Sequence, residues 1–137
     1  MNPALLTAVK EGETSLWELG DALVAECGPP GDNDSLRSAS AYLLETGGYE
    51  YDVPYLSALR RTAYAFQPSD RRREFSWSIH RAAGTPEMLA AIIAGAPVGT
   101  AITTRYVEKV VRACRFARRF EAKAAASAST AVLGQHR

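Results

Sequence analysis

Arg60 and Arg61 stand side by side in "DVPYLSALRRTAYAF" (52–66), and the run Arg71, Arg72, Arg73 follows closely. A guanidinium stays charged at every relevant pH and presents a planar fork of donors that matches a phosphate or the edge of a guanine. The residues around it are small. At about 100° per residue, Pro54, Ser57, Ala58, Arg61 and Ala65 fall on the outward side of a helix whose inward side is Leu56, Leu59, Ala63 and Phe66. A merely solvated face would favour Glu and Lys, whereas small side chains with one arginine suit close approach to a duplex groove. Pro54, Ser57, Ala58 and Arg61 are therefore the candidate base-reading residues. The candidate phosphate contacts are Arg60, Tyr55 and Tyr64 on the flanks of that helix, with Arg71, Arg72, Arg73, His80 and Arg81 beyond it, because such contacts hold a reading helix in register.

Other chemistries lack their parts. The histidines are His80 and His136, and Cys27 and Cys114 lie far apart without CxxC spacing, so neither a zinc site nor any other metal centre is expected. The thiols are expected to stay reduced. His80, between Ile79 and Arg81 in "FSWSIHRAAG", has no nucleophile elbow or Ser/Asp partner pattern around it. With no glycine-rich phosphate loop and no paired carboxylates, the expectation is a protein that is not an enzyme, has no catalytic residues, and takes neither cofactor nor small-molecule substrate. No apolar run approaches the roughly 18 residues of a membrane span, and "MNPALLTAVKEGE" does not read as a secretory leader. A cytoplasmic, nucleoid-associated protein without membrane contact is expected.

Charge is distributed unevenly. The formal net charge is +1 over 137 residues, yet residues 1–59 carry −8 and residues 60–137 carry +9. A basic half of this kind is suited to a polyanion, and the acidic half either folds back on it or is solvated.

The elements that must position these groups read as helices throughout. Pro3 and Gly12 bracket a short first helix, and Ser15 with Glu18 forms a capping box for a second, with Leu16, Leu19 and Leu23 at helical spacing. "GPPGDND" is a loop. A third helix over "SLRSASAYLLETGG" turns Leu36, Ala39, Leu43 and Leu44 inward and stops at Gly47-Gly48. Asp52 as N-cap and Pro54 in the first turn start the fourth helix, which runs from Val53 to Phe66 and ends before Pro68. Thr85-Pro86-Glu87 opens "PEMLAAIIAG", and the longest helix is expected from Thr104 to Ala126. There Tyr106, Val110, Ala113, Ala117, Phe120 and Ala124 follow the spacing of a coiled-coil seam. The basic side chains of that helix, from Arg105 to Lys123, form either a second phosphate-contacting surface or a solvated face. Trp17, Trp77 and Ile79 are expected in the core.

"LRSASAYLLETGGYEYDVPYLSALRRTAYAF" followed by "RRREFSWSIHRAAGTPEMLAAII" resembles the helix-turn-helix core of ParB- and KorB-type partition proteins and of small actinobacterial and actinophage DNA-binding proteins. The resemblance covers roughly residues 15 to 112. It implies that Leu56 and Leu59 are core, that Ser57 and Arg61 face bases, and that Ser76, Ser78, His80 and Arg81 lie in a supporting helix. The turn "ETGGYEYD" is longer than the family's tight form. The expected architecture is all-α: an N-terminal helical domain over 1–67 containing a helix-turn-helix at 35–66, a C-terminal helical subdomain over 76–123, and a flexible tail over 124–137. The expected function is that of a sequence-specific transcriptional repressor on double-stranded DNA, of the kind that confers temperate actinophage immunity. The alternatives are a centromere-binding partition adaptor and a helical protein-interaction module. The seam of the last helix leaves two arrangements open, a homodimer paired through that helix and a monomer from which its second half projects freely.

Overall fold

Segments bounded by glycine and proline become seven α-helices among the residues that the computed structural model describes, 3–9 and 12–135, with backbone alone at 12–15 and 127–135. They are α1 (Ala4–Ala8), α2 (Gly12–Cys27), α3 (Asp34–Gly47), α4 (Val53–Ala65), α5 (Trp77–Ala83), α6 (Pro86–Gly95) and α7 (Thr104–Gln135), with one 3₁₀ turn at Pro68–Asp70. The all-helical class and the long C-terminal helix are as expected. No helix among the described residues is long and apolar enough to cross a membrane.

Capping chemistry explains most of the boundaries. The Asp52 carboxylate accepts from Tyr55 N at 2.8 Å, Ser76 Oγ from Ile79 N at 3.3 Å, and Thr85 Oγ1 from Met88 N at 3.2 Å, each satisfying an amide that the first turn leaves without a helical partner. Three expectations are corrected. Gly12 opens α2 instead of closing α1, so the chain re-enters a helix one turn before the expected cap; the side chain of Ser15 lies outside the described residues. Leu44 is half exposed at 49%, because only Leu36, Ala39 and Leu43 of α3 reach the core. And α7 continues to Gln135, past its expected end at Ala126, through an alanine-rich stretch free of Gly and Pro until Gly134.

Two hydrophobic clusters hold the helices. The first joins Leu5, Leu19, Leu23, Leu36, Leu43, Leu56 and Leu59 with Trp77 of α5. The second joins Phe66, Ile79, Leu89, Ile92, Val107 and Val111. Each leucine buried completely in this way contributes roughly 1.5 to 3 kcal/mol. The clusters interlock at the expected boundary near 67–76: Phe66, just after α4, belongs to the second, Trp77 to the first, and half-buried Trp17 packs against both.

The centre of the fold is the α2–α4 pair, and Gly20 makes it possible. A Cβ at Gly20 would lie 2.6 Å from the Leu59 carbonyl oxygen and 2.8 Å from Ala63 Cβ, so the two backbones meet where α2 carries no side chain. This close approach buries most of α4 and decides which of its faces remains available.

Candidate nucleic-acid interface

Helix α4 is presented through a structured turn. Gly48 closes α3 in the left-handed conformation at φ 71°, with Gly48 N bonded to Leu44 O at 2.9 Å and Tyr49 N to Leu43 O at 3.0 Å. Ser40 Oγ then donates to Tyr51 O at 2.6 Å, tying the turn back to α3. The Tyr51 and Tyr55 rings stack at 5.8 Å and 6°. Burial, followed by the neighbouring phenols of Tyr55 and Tyr49, raises the Tyr51 pKa above its ordinary value. This turn is thus stabilised by aromatic stacking and one side-chain bond.

With Leu56, Leu59, Ala63 and Phe66 fully or almost fully buried, α4 shows the solvent a narrow stripe. Pro54, Arg61 and Tyr64 are exposed along it, and Ser57 is half-buried between them. The Arg61 guanidinium donates to Ser57 Oγ at 3.3 Å, an i, i+4 contact that lays the arginine along the stripe. Ala58 is only 8% exposed and forms the floor beside Arg61, so it offers no surface with which to read a base. Negative charge marks one end of the stripe, because Glu50 and Asp52 are both exposed at the N-terminal end of α4.

The arginines expected to contact phosphate divide sharply. Arg60 is 2% exposed, and its guanidinium donates to the Asp32 carbonyl at 3.1 Å while Nε has no hydrogen-bond partner. It is folded inward against the start of α3 and cannot reach a phosphate. Arg71 is also committed. It bonds both Asp21 carboxylate oxygens at 2.8 and 2.6 Å, donates to Phe66 O at 2.8 Å and Ala63 O at 3.2 Å, and lies 4.3 Å from the centroid of the Trp17 ring. This side chain caps the C-terminal carbonyls of α4 and pins them to α2. His80, expected at a phosphate, also lies inside the fold. Fully buried, it accepts from Arg72 N at Nε2 (3.0 Å), which puts the ring proton on Nδ1, facing Ser76 O at 2.8 Å. Its ring meets Trp17 and Phe66 edge-on at 5.1 and 5.0 Å. Its role is to order the loop before α5.

Arg72, Arg73, Arg81 and Tyr64 remain exposed, and Tyr55 is half-buried. Arg72 faces Glu74 at 4.0 Å, and it shares with Arg73, Trp17, Glu18 and Phe75 a hollow of about 550 Å³. Arg81 lies elsewhere, 5.7 Å from the Trp77 ring, and it joins Ala58, Arg61 and Thr62 around a second hollow. From Arg81 the surface continues. A further hollow is lined by Arg81, Ala82, Thr104 and Glu108, and the next by Ala82, Glu108, Arg112 and Arg115, so the Arg61 stripe is continuous with one side of α7.

The sequence gives no signal for Asp21 or Asp32 as arginine partners, since Asp21 lies 50 residues from Arg71 and Asp32 lies 28 from Arg60. Among the described residues no group of three or more His, Cys, Asp or Glu side chains could hold a metal ion, and Cys27 and Cys114 are unpaired thiols. No protein-family model, curated protein or solved structure matches the chain.

Proposed function

We propose that this chain binds double-stranded DNA through the exposed stripe of α4 and acts as a sequence-specific repressor by occupying its site. The observation that carries this is the stripe itself: Pro54, Ser57, Arg61 and Tyr64 in line on a helix whose other sides are packed. A rigid helix with short side chains around one arginine fits the major groove, and arginine is the usual partner of guanine N7 and O6. In this proposal α3 and α4, joined through 48–52, are the helix-turn-helix pair. Glu50 and Asp52 repel phosphates, so the duplex is met by the later turns of α4, near Arg61, Tyr64 and Arg81. Arg60, Arg71 and His80 support the reader from behind.

Selection from random duplexes at two salt concentrations, with the wild type beside Arg61→Ala, tests this proposal. The expected result is an enriched motif in the wild type that blurs at one position in the variant, with a loss of about 1 to 3 kcal/mol there. No enrichment at either salt would refute it. A partition adaptor would use the same surface and differ in requiring a protein partner. A palindromic motif with half-sites about one helical turn apart would mark a homodimer.

A second proposal, a helical protein-interaction module, draws on Phe116 and Phe120, which are 72% and 68% exposed on α7. It predicts binding to a protein that is indifferent to Arg61.

A further inference from the structure

We infer that the basic side of α7 is a second, sequence-independent contact with the duplex, a phosphate-binding rail continuous with the α4 reader. The inference rests on the DNA-binding proposal above and extends the same surface.

The first support is continuity. Arg81 belongs both to the hollow beside Arg61 and to the one beside Thr104, and Glu108 belongs both to that one and to the hollow that contains Arg112 and Arg115. The three hollows thus follow one another from α4 to α7 through shared side chains, Arg81 and then Ala82 and Glu108.

Helix phase supplies the second. Val107 and Val111 face the core, which fixes the rotation of α7. At about 100° per residue, Arg105, Arg112, Arg115, Arg119 and Lys123 then fall within an arc of roughly 80° to one side of that core-facing line. Phe116 and Phe120 point further round, so they do not interrupt it. At about 1.5 Å per residue the arc from Arg105 to Lys123 extends roughly 27 Å, most of one helical turn of B-DNA.

Electrostatics supplies the third. All five of these side chains are exposed, and among the described residues none forms an ion pair; the pairs present involve Arg37, Arg71 and Arg72. Arg71 shows what neutralisation looks like in this protein, since Asp21 answers it with both carboxylate oxygens. On α7 the acids between Arg105 and Lys123 are Glu108, which falls inside the arc as its single negative charge, and Glu121, which falls on the opposite side. A second copy of the chain laid on this arc would set like charges against each other, whereas a row of phosphates complements it.

The test uses the full chain and a fluorescein-labelled mixed-sequence duplex of about three helical turns, with anisotropy measured across a salt series. The variant Arg112→Gln/Arg115→Gln/Arg119→Gln is compared with its Lys counterpart at the same three positions, and thermal melts check that both fold. Each phosphate contact contributes about 0.9 to the slope of log K against log salt, so the Gln variant is expected to lose up to about 2.7 from that slope. The Lys variant should restore it, and the motif selected by Arg61 should be unchanged. A wild type that binds while the Gln variant keeps the full slope would overturn the rail and leave the α4 reader standing. If the wild type bound no duplex at any salt, both proposals would fall.

Discussion

Replacing Arg71 by alanine tests whether this arginine holds the fold together. Its side chain is 15% exposed and makes two bonds to Asp21 and two to carbonyls at the end of α4, while covering the Trp17 ring. A hydrogen bond to a charged group contributes a net of about 1.5 to 3 kcal/mol, but these four act as one unit and cannot be summed. The Asp21 side chain is 47% exposed, so solvent screening discounts the ion pair. What remains is mainly the loss of packing on Trp17 and of partners for the Ala63 and Phe66 carbonyls. We expect Arg71→Ala to destabilise the fold by about 2 to 4 kcal/mol, a fall in Tm of roughly 6 to 16 °C for a chain of this size. Arg71→Lys should recover little, because an ammonium cannot bridge both carboxylate oxygens and two carbonyls. Urea unfolding followed by far-UV circular dichroism gives the comparison, with Arg73→Ala as the exposed control, expected within about 0.5 kcal/mol of wild type. If Arg71→Ala unfolds at the wild-type midpoint, the assignment of Arg71 as the pin between α2 and α4 is wrong, and its return as a phosphate contact would have to be considered.

Two further outcomes follow from the same helix pair and its turn. Gly20→Ala should destabilise the protein by about 1 to 3 kcal/mol despite alanine's better helix propensity, because the new methyl meets the Leu59 carbonyl and Ala63; a raised urea midpoint would contradict the close α2–α4 approach. Tyr51, whose pKa is raised above 10.0 by burial and neighbouring phenols, should ionise as a late phase in an alkaline absorbance titration. Because the fold favours its neutral form, that contribution to stability is complete below the ordinary tyrosine pKa and is lost as pH rises through the folded value. A late phase that persists in Tyr51→Phe would disprove the assignment.

The sequence by itself determined the helices and most of their ends. Asp52 with Pro54, Thr85 with Pro86, and Gly48 act through bonds and dihedral preferences that span only a few residues, so their effects can be read locally. The inward face of α4 was legible for a similar reason, since Leu56, Leu59, Ala63 and Phe66 follow the period of the helix. The stripe of Pro54, Ser57 and Arg61 comes from that same period. Tertiary structure decided which charges were available. Arg60 and Arg61 are adjacent in sequence, yet one is buried against the Asp32 carbonyl and the other exposed. Arg71 and Arg73 differ in the same way, because the first bonds Asp21 and lies over the Trp17 ring while the second stays exposed. A guanidinium on a long, flexible stem turns toward whichever partner the packing brings near, and those partners come from α2 and the loop before α3, far along the chain. The continuity from Arg61 through Arg81 to α7 has the same origin: it exists because α5 packs on α7, a contact that no local pattern encodes.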